Sequence, residues 1–386
     1  MPGQGLQLVE QAREALRRRD PATALALLDQ LDGPDAPVQV NLDRALGLRM
    51  LGRDGEALTA LDKALLREPK HFLALLSRAS ILERLGRGPA AAAAYRAAIG
   101  VAPPEAALPQ GAAQALAAGR VFVERANAQT AERLRAALKD VREGCTRADL
   151  ERFDESLDIF AGVSKAFVQQ PLLLHYPRLP AIPFLDRALF PWLERLEAAT
   201  PMIRAELAAL NDVALDGYAP YVQMPPGVPV DQWRELNHSR RWSSFFLWLN
   251  SERQGPACEL CPGTAALLAQ LPMTDQPGFA PTAMFSRLDA RTRIPPHTGS
   301  TNTRLVVHLP LELPGPAWFR VGNVRRDWRT GEAWVFDDTI EHEAMNEADT
   351  PRTILIFDVW NPFLSEAERT LVSAMLTARK TIETET

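Results

Sequence analysis

The chain is poor in cysteine: three residues in 386. An odd, small number cannot form a closed disulfide framework, which excludes a disulfide-built scaffold. No run of about 18 apolar residues is present, so no transmembrane helix is expected. There is no excess of positive charge either. Lys+Arg is 43 against Asp+Glu 48, a net charge of −5, and no global field draws the chain to nucleic acid or to an anionic membrane. The first twenty residues, MPGQGLQLVEQAREALRRRD, carry charges where a secretory signal needs an apolar core. These absences set the expectation of a reduced, soluble, cytoplasmic protein. With 46% hydrophobic and 24% charged residues the composition is that of a globular protein, long enough for two or three domains.

A repeat occupies the front of the chain. LGRDGEALTALDKALLREP (Leu51 to Pro69) recurs 34 residues later as LGRGPAAAAAYRAAIGVAP (Leu85 to Pro103), with Gly52/Gly86, Ala57/Ala91, Ala64/Ala98 and Pro69/Pro103 in register. That is the tetratricopeptide period. RRRDPATALALLDQL keeps Asp20 in step with Asp54 and marks a degenerate earlier unit. Small residues recur where antiparallel helices approach closely, the glycines suit the turn between them, and the prolines end each second helix. Apolar spacing in TAERLRAALKDVREG (Leu134, Ala137, Leu138, Val141) continues the helical pattern. The expected division is helical repeats over 1–115, a helical connector over 116–170, and a different domain over 171–386.

That last region changes period. WSSFFLWL, TAMFSRL, TRLVVHLPLEL, AWFRV, EAWVFDD and RTILIFDVW are short extended segments bounded by Pro, Gly, Asn or Asp. Strands at this spacing suggest an antiparallel barrel or jelly roll. A helical stretch, LDRALFPWLERLEAATPMIRAELAAL, precedes them, and SEAE at Ser365 to Glu368 is a capping box that opens a last helix. In TRLVVHL, alternation puts Arg304, Val306 and His308 on one face and Leu305, Val307 and Leu309 on the other, a polar interior against an apolar layer.

Three of the six histidines, His297, His308 and His342, fall in this strand region. RIPPHTGSTN sets His297 where a stiff extended segment meets a turn, and EHEAMNEADTPR sets His342 ten residues before Arg352. YPRLPAIPF, WSSFFLW, CPGTAALLAQLP, IPPHTGSTNTRLVVHLPLELP, GEAWVFDDTIEHEA and RTILIFDVWNP together resemble the aspartyl/asparaginyl β-hydroxylases, a branch of the iron(II) and 2-oxoglutarate-dependent oxygenases, over roughly Tyr176 to Leu364. The resemblance implies a multidomain α + β protein: a TPR-like α-helical solenoid followed by a double-stranded β-helix (jelly-roll, cupin-like) oxygenase domain. It implies iron(II), 2-oxoglutarate and O₂ as cofactor and co-substrates.

By the same resemblance His297 and His342 are the metal ligands and catalytic centre, neutral imidazole suiting ferrous iron. Arg352 binds the distal carboxylate of 2-oxoglutarate, for which a guanidinium fork is well matched. Ser286 donates a hydroxyl to that carboxylate, His308 bonds the carboxylate beside the keto group, and Trp248 matches an aromatic near the co-substrate. Most of the superfamily has a third ligand, a carboxylate, two residues after the first histidine; here Gly299 stands there, as in the β-hydroxylase branch. Arg304 is the candidate substrate-binding residue, but Val306 replaces a second basic residue of the family motif. The substrate implied is an aspartyl or asparaginyl unit of a peptide or protein, presented by the repeats and hydroxylated at its β-carbon, with neither nucleic acid nor membrane as partner and an oligomer left open. The same chemistry on a small molecule or acyl chain, and a non-catalytic repeat adaptor with a degenerate barrel, are the alternatives. Cys258 and Cys261 form a single CxxC without a second Cys/His pair, a weak zinc signal better read as packing or a redox-labile pair. Asp337 and Asp338 belong to the turn before His342, where one is expected to orient the imidazole.

Overall fold

The structure, a computed structural model, describes residues 2–31, 33, 36–214 and 217–385. The chain divides into two units, Met1–Lys165 and Ala166–Thr386.

Nine helices are described in the first unit: α1 (Pro2–Arg17), α2 (Pro21–Asp29), α3 (Val38–Met50), α4 (Asp54–Arg67), α5 (Phe72–Arg84), α6 (Gly88–Gly100), α7 (Gln110–Ala137), α8 (Lys139–Arg142) and α9 (Arg147–Ala161). They pair as hairpins, α1 with α2, α3 with α4 and α5 with α6, and successive hairpins pack on one another. Gly52 and Gly86 sit at the hairpin turns with φ of 70° and 69°, a left-handed conformation that costs glycine nothing. The first hairpin bends instead at Arg19, φ 61°, and the Asp20 side chain caps α2 at Thr23 N. Ala57, Ala64, Ala91 and Ala98 have no exposed surface, so the repeated alanines are contact points between helices. α7 runs through position 115 and packs along α6, and its partner α9 ends on Gly162 in a left-handed cap.

The second unit is built on strands: β1 (Ala219–Pro220), β2 (Trp242–Leu249), β3 (Glu252–Arg253), β4 (Ala283–Leu288), β5 (Thr292–His297), β6 (Arg304–Glu312), β7 (Ala317–Val321), β8 (Val324–Asp327), β9 (Trp334–Phe336), β10 (His342–Asn346) and β11 (Arg352–Trp360). They form two antiparallel sheets. The larger has the order β1-β2-β4-β11-β6-β9 with β3 on β2, and the smaller the order β5-β10-β7-β8. This is the double-stranded β-helix. Pro295 and Pro296 are tolerated in β5 because it is an edge strand, which needs fewer backbone donors.

Alternation sorts the larger sheet into two faces. Phe285, Leu305, Val307, Leu309, Leu355 and Phe357 face an apolar layer closed by helices α10 (Leu193–Ala198), α11 (Thr200–Ala214), α12 (Gly255–Leu260) and α13 (Pro262–Leu268). Met284, Ser286, Arg304, Val306, His308, Arg352, Ile356 and Asp358 face the other way and line a cavity. A final helix, α14 (Glu366–Glu385), opens on the expected capping box: Ser365 N donates to Glu368 Oε2 at 2.8 Å and Glu368 N to Ser365 Oγ at 3.3 Å. Among the described residues no helix is long and apolar enough to cross a membrane.

Candidate active site

The two candidate ligands come from neighbouring strands of the smaller sheet. β5 and β10 pair antiparallel with His297 opposite His342, and the ring centroids lie 4.1 Å apart. His297 Nδ1 donates to Pro295 O at 2.7 Å and His342 Nδ1 to Ile340 O at 3.1 Å. Each ring thus spends its Nδ1 proton on a carbonyl two residues back, which fixes the tautomer and leaves the Nε2 lone pair for a metal. Burial, with a smaller contribution from His297, holds His342 well below the ordinary imidazole value, and burial lowers His297 as well. Both are neutral, the form that ligates. Among the described residues no cluster of three or more His, Cys, Asp or Glu side chains is arranged to hold a metal ion.

Gly299 explains what fills the third place. A Cβ there would overlap the carboxyl group of Asp338, and Gly299 N donates to Asp338 O at 2.6 Å. The buried Asp338 carboxylate therefore occupies the space beside the histidine turn that a side chain at 299 would need. Burial raises its pKa to about 7 against the pull of Arg304. His342 is oriented by two backbone carbonyls, that of Ile340 and, with a weaker contribution, that of Asp338, while the Asp337 carboxylate accepts from Gln169, Thr339 N and Thr339 Oγ1.

Deeper in the cavity, Arg352 is 1% exposed. Its Nη1 donates to Ser286 O at 3.1 Å and its guanidinium lies 4.7 Å from the Trp328 ring. Among the described residues no carboxylate pairs with it, and Nε has no partner. Burial without compensation lowers its pKa to about 9. Beside it, Ser286 Oγ accepts from Trp242 Nε1 at 3.1 Å, so the hydroxyl proton is available to a ligand. His308 packs on Phe319 and Phe336 with Nδ1 unpartnered, kept neutral by burial and by Arg352. A buried cation, a free hydroxyl proton and an orphaned imidazole nitrogen facing one cavity are groups that lack an anion.

Arg304 also lines the cavity, with its Nη1 bonded to Asp358 Oδ2 at 2.6 Å. Burial opposes its charge, yet the carboxylates of Asp358 and Asp338 outweigh it and raise its pKa.

Trp248 is the one candidate the structure removes from the site. β2 has a bulge between Phe246 and Trp248, after which Trp248 pairs with Ala283 rather than with a cavity-facing position. One extra residue inverts the parity, and Trp248 packs in the apolar layer with Phe245 and Leu247. Trp242, at the other end of the same strand, lines the cavity instead. Trp233 was not singled out in the sequence, nor were Trp328 and Asp358; Trp233 lies 5.0 Å from the His297 ring. Cys258 and Cys261 are buried free thiols in the apolar layer, Cys258 Sγ donating to Leu247 O at 3.3 Å, so the CxxC is packing. Burial pushes Cys261 up to about 12.

A family model described as Aspartyl/Asparaginyl beta-hydroxylase matches residues 197–362. The ornithine lipid ester-linked acyl 2-hydroxylase of Rhizobium tropici is 33% identical over 201 residues, 51% of this chain and 67% of that protein. The chain belongs to the aspartyl/asparaginyl β-hydroxylase family. Human aspartyl/asparaginyl beta-hydroxylase is 33% identical over 181 residues, 47% of this chain and 22% of its own length. Aspartate beta-hydroxylase domain-containing protein 2 of Xenopus tropicalis is 30% identical over 206 residues, 52% of this chain and 53% of its own. The chain thus spans about half or less of these two relatives. Residues 197–362, the stretch matched by the family model, hold both sheets and the whole cavity.

Proposed function

We propose that the second unit is an iron(II)- and 2-oxoglutarate-dependent hydroxylase. The observation that carries the reading is Arg352: a fully buried guanidinium without a carboxylate partner is unfavourable until an anion arrives. In this reading His297 and His342 hold the metal through Nε2. Iron(II) with 2-oxoglutarate and O₂ supplies the oxidising power to convert an unactivated C–H into C–OH, with succinate and CO₂ as co-products. The chain's own residues do the rest. Arg352 and the Ser286 hydroxyl take the distal carboxylate, and Trp242 keeps that hydroxyl turned toward it. His308, neutral, serves the carboxylate beside the keto group. Trp233 and Phe319 cover the histidine pair and exclude water. A non-catalytic adaptor would have no use for these uncompensated buried groups.

The names of the human and mouse relatives point to an aspartyl or asparaginyl unit of a peptide, presented by the helical repeats, with Arg304 on its carboxylate. A small molecule or acyl chain is the second reading, favoured by the engagement of Arg304 with Asp358. Free thiols at Cys145, Cys258 and Cys261 suit a reducing, cytoplasmic setting.

The test is calorimetric titration of manganese(II)-loaded protein with 2-oxoglutarate. Wild type binds, and Arg352→Ala weakens binding by at least about 30-fold, the lower bound for losing one side of a buried charge pair. Equal affinity in the variant overturns the assignment.

A further inference from the structure

A segment without regular helix or strand, residues 167–176, lies across both turns that carry the histidine pair. Its backbone bonds to each. Ahead of His342, Gln170 N donates to Thr339 O at 2.7 Å; after His297, Leu172 N donates to Gly299 O at 2.9 Å and Leu173 N to Ser300 O at 2.8 Å. Gln169 pairs with Ile340, whose carbonyl accepts from His342 Nδ1.

Side chains join the same two turns, and Gln169 is the junction. Its Oε1 accepts from Asn302 Nδ2 at 3.0 Å and its Nε2 donates to Asp337 Oδ2 at 2.5 Å, with a longer bond from Nε2 to Pro180 O at 3.4 Å. Asn302 has no exposed surface and Asp337 is 1% exposed. Each is fixed from its other side. Tyr176 N donates to Asn302 Oδ1 at 2.7 Å and Asn302 Nδ2 to Tyr176 O at 2.9 Å, which sets the Asn302 amide. Asp337 Oδ1 takes Thr339 N and Thr339 Oγ1, leaving Oδ2 for Gln169. These partners permit one orientation of the Gln169 amide: turned over, it would set oxygen against carboxylate and NH₂ against NH₂. A carboxylate at 169 would lack the donor that Asp337 needs, and an ammonium the acceptor that Asn302 needs. Gln169, Asn302 and Asp337 do not line the cavity.

We infer that Gln169 is a positioning residue for the metal site, its amide clasping Asn302 and Asp337 so that the His297 and His342 turns stay at the separation where both Nε2 atoms meet one ion. The inference rests on reading the histidine pair as a metal site. Gln169 touches neither the ion nor a substrate and acts only through the two turns, as groups that support metal ligands from behind do.

The experiment titrates the full chain, metal-free, with cobalt(II), whose visible d–d bands report both affinity and coordination geometry, with His342→Ala as the blank. Gln169→Met keeps the volume and loses both bonds; it is expected to weaken cobalt(II) about tenfold or more and to change the band shape. Gln169→Glu sets a second carboxylate against Asp337 and is expected to do at least as much damage. Adding Asp337→Asn to Gln169→Glu reverses the polarity of that bond, the introduced carboxylate accepting from the introduced amide, and restores most of the affinity and the wild-type bands. Trp248→Phe, a change in the apolar layer away from the cavity, controls for general loss of stability and keeps both.

Wild-type affinity and bands in Gln169→Met and Gln169→Glu overturn the inference, as does an equal loss in Trp248→Phe or a double variant no better than Gln169→Glu. If the single variants do not fold, the double variant decides alone: the wild-type bands sustain the inference and their absence overturns it. A wild type that binds no cobalt(II) defeats the metal reading and the inference with it. Tight binding by wild type and by the Gln169 variants alike leaves the metal reading standing and defeats the inference alone.

Discussion

Gly299 and Asp338 give the sharpest test of the site's packing. An alanine Cβ at 299 would collide with all three heavy atoms of the Asp338 carboxyl group, which is 8% exposed and cannot swing freely into water. Overpacking of this kind costs about 1–3 kcal/mol. The collision involves one side chain only, so removing that side chain should remove the cost. Gly299→Ala is therefore expected to destabilise by about 1–3 kcal/mol in the wild-type background and by nearly nothing in Asp338→Gly, a coupling of the same size. In a domain as long as residues 166–386, each kcal/mol moves the melting temperature by about 2–4 °C. Thermal and urea unfolding of the four proteins, metal-free, complete the cycle. Gly299→Asp extends the test: alone it should fold poorly, and with Asp338→Gly it should recover, with one carboxylate again in that space. Equal costs of Gly299→Ala in both backgrounds would refute the claim that Asp338 occupies the place a residue at 299 would take.

Trp242→Phe keeps an aromatic ring but loses the donor to Ser286, and should weaken 2-oxoglutarate binding severalfold, from about 1 kcal/mol for one hydrogen bond; Trp248→Phe should leave that affinity alone and lower only stability, which calorimetry and melting curves distinguish. Asp338 has a folded-state pKa of about 7 against an ordinary 3.8, so its contribution to stability is present below the lower value and is lost as pH rises through the higher one. In Asp338→Asn that loss disappears. The variant should gain on wild type between about pH 4 and about pH 7, by at most about 4 kcal/mol, in urea titrations of the metal-free protein; a pH-independent difference would contradict the burial argument.

The sequence carries much of this architecture because its signals are local. Gly52 and Gly86 repeat because the same left-handed turn repeats, and the alanines between helices repeat with them. Arg304, Val306 and His308 alternate with Leu305, Val307 and Leu309 because one sheet separates a polar cavity from an apolar layer. What is not legible is non-local. Trp242 and Trp248 share a parity in WSSFFLW, and only the bulge after Phe246, set by the pairing with β4, separates them. Asp338 fills the gap left by Gly299 from 39 positions away, a relation no spacing announces. Trp233 belongs to a segment with little regular structure and no periodicity, so its place over His297 had no signal. The strand β10 is short, and its EHEAMN text alternates too weakly to be read as a strand.

The central claim is that the paired histidines hold a metal that chelates 2-oxoglutarate. Anaerobic addition of iron(II) and 2-oxoglutarate, followed by visible absorption in wild type and in His342→Ala, tests it most directly. The account predicts a charge-transfer band in wild type that is absent from the folded variant. A folded wild type with no band, or a variant that keeps it, would contradict the account.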